Sequence, residues 1–162
     1  MANQTKYTSA KATGKTNSLG ALLSFSVYSA MLGFNRVYRK ALNMLDITYP
    51  QYLVLTILRE RDNVAMSEIS QRLNLESSTL SPLLKRMEEQ GILVRRRYAF
   101  DERQVILSLT ETGGALAAKA GMVPAYVNRA SGLTSEENKV LRALLAKLHE
   151  GLVKNAELSV CI

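Results

Sequence analysis

The stretch LLSFSVYSA, Leu22 to Ala30, sets a hydroxyl, Ser24, among apolar residues near the start of a helical pattern. Tyr28 stands four residues on, which places its phenol on the same helix face. Tyr38 is nearly in phase with Ser24 but ~21 Å away along a straight helix, at about 1.5 Å per residue. It cannot touch Ser24 of its own chain, yet it reaches the Ser24 of a second copy if the two helices run antiparallel. Tyr49 follows in TYPQYL. A hydroxyl has no thiolate-like state near neutral pH, so Ser24 offers hydrogen bonding and no thiol chemistry. Phenols facing position 24 could donate hydrogen bonds to a group there. Ordinary interface packing is the competing reading of these tyrosines, and Tyr52 reads as core.

Other chemistries find little support. The single cysteine, Cys161, excludes a structural disulfide within the chain and suits a reducing, cytoplasmic setting. It is next to last, and an incidental thiol in a frayed tail is preferred to a redox partner. One histidine and no CxxC or HExxH leave no recognised zinc site, so no metal or cofactor is expected. No GxGxxG, P-loop or GxSxG is present, which gives an enzyme reading nothing to stand on. Charge is more informative: a net charge of +7 favours a polyanionic partner. No apolar run approaches the ~20 residues of a membrane span, and no membrane partner is expected.

The elements that would position these residues can be read in order. Residues 1–20, rich in Ser, Thr and Lys and free of acids, read as a disordered basic tail and not as a signal peptide. A helix is expected from Ala21 to Leu45, apolar on more than one face, so that a partner chain would cover it. Thr48 caps a second helix, with Pro50 in its first turn and Leu53, Val54, Ile57 and Leu58 as its stripe. A short helix carrying Ile69 and Leu73 precedes ESSTLSPLLKRMEEQG, where Leu80, Leu83, Leu84 and Met87 face the core and Gly91 stops the helix. Two β-rich runs, Ile92 to Arg97 and Gln104 to Leu109, flank a polar turn and make a hairpin. Thr110 then caps a helix from Glu111 to about Arg129. Thr134 and Glu137 form a capping box for a last helix bearing Leu141, Leu144, Leu145, Leu148 and Leu152 on one face. Residues 157–162 read as a tail. The pattern is a mainly α (α+β) winged helix-turn-helix, about 50–109, between long end helices at about 21–46 and 111–155. The plainer alternative is a helical bundle with an incidental hairpin.

TYPQYLVL, LESSTLSPLLKRMEEQGILVRRR and DERQVILSLTETG, in that order and spacing, resemble the MarR family of bacterial transcriptional regulators. With LSFSVYSA, the resemblance extends to its organic-hydroperoxide-sensing (OhrR-type) branch, covering roughly Leu22 to Gly113. It implies a cytoplasmic, homodimeric repressor on a palindromic double-stranded DNA operator, not an enzyme. Independent chemistry agrees on DNA. A recognition helix approaches base edges by its N-terminal part, and Glu76, Ser77, Ser78, Thr79 and Ser81 are small or polar there. Lys85 and Arg86, further along, are placed to meet phosphates, or else to pair with Glu88 and Glu89 on a solvated face. On the hairpin, Arg95 and Arg97 share one face and Arg96 the other, and Arg95 and Arg97 are expected to contact DNA in preference to forming a merely solvated charge run. Resemblance to the family's DxR element implies that Asp101 braces the wing by pairing with an arginine while Arg103 reaches a minor groove. Tyr98, Ala99 and Phe100 depart from the usual polar wing tip.

In the hydroperoxide-sensing branch, the position matching Ser24 carries a reactive cysteine within L-C-F-x-x-Y. Here the match fails only at the sulfur, and a serine can neither attack a peroxide nor enter the sulfenic-acid ladder. At a cysteine, two phenols donating hydrogen bonds to the thiolate would favour its charged form and lower its pKa. The resemblance makes Tyr38 and Tyr49 its phenol partners, with Tyr28 beside it, and organic hydroperoxide the signal if position 24 is a cysteine. Two explanations of Ser24 stand: an engineered Cys→Ser replacement holding the reduced, DNA-binding state, or a natural member that lost the switch. Intact neighbours favour the first. Ser131 is the residue nearest to where some branch members carry a second cysteine. The alternative function is a MarR-type regulator released by a small phenolic or aromatic ligand. A thiol peroxidase is a third reading with little behind it.

Overall fold

The computed structural model describes residues 18–98 and 101–156, with side chains over 18–97 and 104–156. It divides into two units, 1–36 and 37–162, at the middle of its first long helix. The expected basic tail lies outside the described residues up to residue 17, as does the short C-terminal tail with Cys161.

The first unit holds a 3-10 turn, Leu19–Ala21, and the front of helix α1, Leu23–Asn43. The helix therefore begins after the expected Ala21, because Ala21 and Leu22 donate back to Ser18 and Leu19 and close the tight turn first. None of the described residues from 18 to 36 is buried.

The second unit is built on α2, Tyr49–Glu60. Thr48 and Gln51 make a reciprocal capping box at its start, which the spacing of the two residues dictates. A two-residue strand β1, Val64–Ala65, leads to α3, Met66–Leu73, and α4, Ser77–Glu89. Between them Asn74 takes a left-handed conformation, φ 51°, which an asparagine accepts more readily than most residues. The hairpin β2, Leu93–Tyr98, and β3, Asp101–Leu109, completes an antiparallel sheet of order β1-β3-β2. The pairing sets Leu93 opposite Leu109, Arg95 opposite Leu107 and Arg97 opposite Val105. One face of the sheet thus carries the buried Val64, Leu93 and Leu107. These pack with Val54, Leu55 and Leu58 of α2, Ile69 of α3 and Leu80, Leu84 and Met87 of α4 in a single core. Leu83, expected inward, is only half-buried.

The expected helix from Glu111 to Arg129 is two helices, α5, Glu111–Ala120, and α6, Val123–Ser131. Pro124 explains the break: it has no N–H to offer Ala120, and its ring would clash with that carbonyl in a continuous helix. Arg59 of α2 fills the break, donating from Nη1 to the Ala117 carbonyl at 3.4 Å. A Cβ on Gly121 would lie 2.2 Å from that same nitrogen, so the glycine makes room for the guanidinium. Helix α7, Ser135–Lys154, follows with the expected Thr134–Glu137 capping box. No residue of α7 is buried.

Candidate nucleic-acid interface and sensor position

Helix α4 presents the polar surface expected of a reading element. Glu76, Ser77, Ser78 and Thr79 are exposed at its N-terminal end, and Ser81 is half-buried. Its opposite side is anchored by Leu80, Leu84 and Met87, all fully buried. The period of 3.6 residues makes this division unavoidable once three apolar residues recur at fours and threes. Glu76 accepts from the Ser78 hydroxyl at 3.3 Å. Lys85 and Arg86 are exposed, and Lys85 Nζ stands 3.8 Å from Glu89 across one turn. An ion pair so exposed is weak and leaves the lysine free to turn towards a phosphate.

The wing is fastened at its base by residues that sequence reasoning did not single out. Asp62 Oδ1 accepts from the Leu109 amide at 2.9 Å, and Asn63 Oδ1 accepts from the Ser108 hydroxyl at 2.7 Å. Asn63 reaches this position with φ 59°, and the Asp-Asn pair before a strand is the turn signal that could have been read. Glu88 was also missed as a partner of the wing. Its Oε1 accepts from the Arg95 amide at 3.1 Å and its Oε2 from Arg95 Nε at 2.8 Å. The bond from the Arg95 side chain, first among the causes, holds the Glu88 carboxyl below the usual carboxylate range. Arg96 and Arg97 are exposed. The side chains of Asp101 and Arg103 lie outside those described, as do those of Tyr98 and Phe100.

Of the residues expected at a sensor position, Ser24 and Tyr28 are exposed on the first unit, and the Tyr28 ring lies 6.5 Å from that of Phe25. In the second unit Tyr38, Tyr49 and Tyr52 form a cluster. Ring centroids are 4.5 Å apart for Tyr38 and Tyr49, 5.8 Å for Tyr38 and Tyr52, and 6.1 Å for Tyr49 and Tyr52. Tyr52 is buried, as a core residue, yet it also belongs to this cluster. Burial, with its two phenol neighbours, pushes the Tyr38 hydroxyl up to about 12, and burial likewise raises Tyr49. Both phenols are therefore neutral hydrogen-bond donors at any physiological pH.

The Ser131 hydroxyl donates to the Asn128 carbonyl at 2.7 Å and accepts from the Leu133 amide at 3.2 Å. It thus closes the turn after α6, a task suited to an oxygen. Among the described residues no group of three His, Cys, Asp or Glu could hold a metal ion. No described helix is long and apolar enough to cross a membrane.

The profile of the SarA/Rot transcriptional regulators matches residues 36–119, just over half of the chain. The organic hydroperoxide resistance transcriptional regulator of Bacillus subtilis is 40% identical over 130 residues, 80% of this chain and 88% of its own. The chain belongs to the MarR family of transcriptional regulators. A second relative, the HTH-type transcriptional regulator TtmR of Methylorubrum extorquens, is 43% identical over 135 residues, 83% of this chain and 69% of its own. Among solved structures, reduced AbfR bound to DNA superposes with a TM-score of 0.73 at 33% identity, covering 86% of this chain and 95% of that one. Within the MarR family the chain is of the organic-hydroperoxide-regulator type. It is a DNA-binding regulator of transcription with a winged helix, and not an enzyme.

Proposed function

We propose that the chain is a cytoplasmic, dimeric repressor of an organic hydroperoxide resistance gene, bound to a palindromic operator. The observation that carries DNA reading is α4: an exposed polar end, Glu76 to Thr79, on a helix whose back is locked into the core. In this reading Glu76, Ser77, Ser78, Thr79 and Ser81 approach base edges. Lys85, Arg86 and Arg97 meet phosphates, and Arg103, braced by Asp101, enters a minor groove. Arg95, expected from the sequence as a DNA contact, is engaged by Glu88, and this reading gives it no phosphate of its own.

Dimerisation is supported by apolar surface. Leu23, Val27, Met31 and Phe34 on the front of α1 are exposed, and so are Leu141, Leu144, Leu145 and Leu152 on α7. Apolar faces of this extent mark interfaces, and two-fold pairing matches a palindrome.

The redox part of the proposal concerns position 24. A cysteine there would be oxidised by an organic hydroperoxide, with Tyr38 and Tyr49 donating to its thiolate across the dimer. Serine cannot be oxidised in this way, so this chain stays in its DNA-binding form. Fluorescence anisotropy on a labelled duplex from the gene's own upstream region, with and without cumene hydroperoxide, tests the proposal for this chain and for Ser24→Cys. Release of the Ser24→Cys chain alone is the expected result. Equal behaviour of the two would withdraw the redox reading. Thermal stabilisation by phenolic ligands in that case would select a ligand-released regulator instead.

A further inference from the structure

Resting on the DNA-binding reading above, we infer that Glu88 and Arg95 form a strut that sets the wing's angle to the recognition helix, so that Arg95 positions the wing and does not itself touch DNA. The strut has two ends on different elements. Glu88 sits in the last turn of α4, and Arg95 is the third residue of β2. The chain between them reverses at Gly91, whose φ of 68° is a left-handed conformation suited to glycine. Asp62, Asn63 and the buried Leu93 and Leu107 hold the base of the hairpin, and the strut adds a direct tie between α4 and β2.

Both carboxylate oxygens are used, one on the Arg95 amide and one on its Nε, at 3.1 and 2.8 Å. A single side chain therefore grips the strand by its backbone and by its guanidinium together. Such charge-assisted bonds are roughly twice as strong as neutral ones. The strand register explains why Arg95 is the arginine taken. It lies opposite Leu107, on the sheet face that packs against the helices, whereas Arg96 lies opposite Ile106 on the other face. Arg97 shares the face of Arg95 but is two residues further out, and it is exposed. The side chains of Arg95 and Glu88 retain 31% and 35% of their exposure, against 68% and 62% for the Lys85–Glu89 pair on the same helix. Lower exposure separates a bond that holds geometry from a pair that solvent loosens.

The placement also has a cost that calls for a reason. Glu88 sets a negative charge beside a surface meant for phosphates, and its net electrostatic effect on DNA is repulsive. A strut accounts for it, and this reverses the sign of a simple experiment. Removing that charge by Glu88→Gln strengthens DNA binding if only long-range electrostatics matters. If the strut matters, binding weakens by roughly tenfold, the size of a lost coupling between residues in one network.

The test is a salt titration of DNA affinity by anisotropy, using the labelled upstream duplex and an unrelated duplex, for the unmodified chain, Glu88→Gln, Glu88→Asp, Arg95→Gln and the double variant Glu88→Gln with Arg95→Gln. All the variants are expected to bind more weakly with an unchanged salt slope. The double variant should lose no more than either single one. Glu88→Asp keeps the charge and loses only reach, so its loss points to geometry. The inference is overturned if Glu88→Gln binds as tightly as the unmodified chain or tighter. It is also overturned if Arg95→Gln lowers the slope by about 0.9, the mark of a lost phosphate contact. Hydrogen exchange without DNA decides the strut separately: Glu88→Gln should speed exchange at Arg95 to Arg97 and leave α2 unaltered, and unaltered wing amides would overturn it. Failure of every chain, including the unmodified one, to bind either duplex would overturn the DNA-binding reading and leave the exchange result to judge the strut.

Discussion

The winged lobe and helix α7 carry stripes of similar sequence and opposite fates. Leu80, Leu84 and Met87 on α4 are fully buried, while Leu141, Leu144 and Leu145 on α7 remain at 39% exposure or more. Helix formation itself does not explain this, since both helices are long and α7 has the better cap. What differs is what each apolar face meets. The α4 face closes against α2, α3 and the sheet within one chain, whereas the α7 face stays exposed among the described residues. A stripe of leucines therefore reports that burial is needed and says nothing of whose surface provides it.

Substitutions in the two stripes test this contrast most strongly. Leu84→Ala should lower the unfolding free energy by about 2–5 kcal/mol, because the cavity forms in a closed core. Equilibrium urea unfolding would show the loss at every protein concentration. Leu144→Ala should behave differently: little change in the stability of a single chain, and the proposed dimer weakened by about 2 kcal/mol if this leucine is central to its interface. Sedimentation velocity across a dilution series reads that shift. A concentration-independent loss for Leu144→Ala as large as that for Leu84→Ala would break the comparison.

The two capping boxes sharpen it. Thr48→Ala and Thr134→Ala remove equivalent bonds from α2 and α7, and each should cost about 1 kcal/mol of helix stability. For Thr48→Ala the loss should appear in global unfolding, since α2 is the centre of the core. For Thr134→Ala it should appear as faster hydrogen exchange over α7 in dilute protein, with little change in the lobe. Equal global effects would mean that α7 folds as part of the lobe.

The smallest effect is expected in alkali, at the tyrosine cluster. Tyr38 is raised from 10.0 to about 12, so the folded chain holds a proton that the unfolded chain releases earlier. The stability this provides is complete below pH 10 and is lost as the pH climbs towards 12. Phenolate absorbance should show the latest-titrating tyrosine of the intact chain lost in Tyr38→Phe, with Tyr49 still raised by its burial. A titration unchanged by that substitution would remove the cluster from the account.

Much of the architecture was readable because it depends on neighbours a few residues apart. Both capping boxes, the buried face of α4 and the hairpin follow from spacings of three, four and two, which fix which side chains share a face. The α5–α6 break has its local cue in Pro124, which falls inside the helix expected from Glu111 to Arg129. Ser24 was legible only through the resemblance. Its own exposure and helical setting carry no mark of a sensor.

What the sequence determined by itself was the set of local commitments: helices, caps, a basic hairpin, and two apolar stripes in need of cover. Only the tertiary structure decided which arginine of RRR is already occupied. Arg95 and Arg97 are identical in chemistry and lie on the same face of the same strand. They part because the turn at Gly91 and the register with β3 bring Arg95, and not Arg97, within bonding distance of Glu88. That distance depends on how a helix end and a strand pack on a common core, which no spacing along the chain encodes.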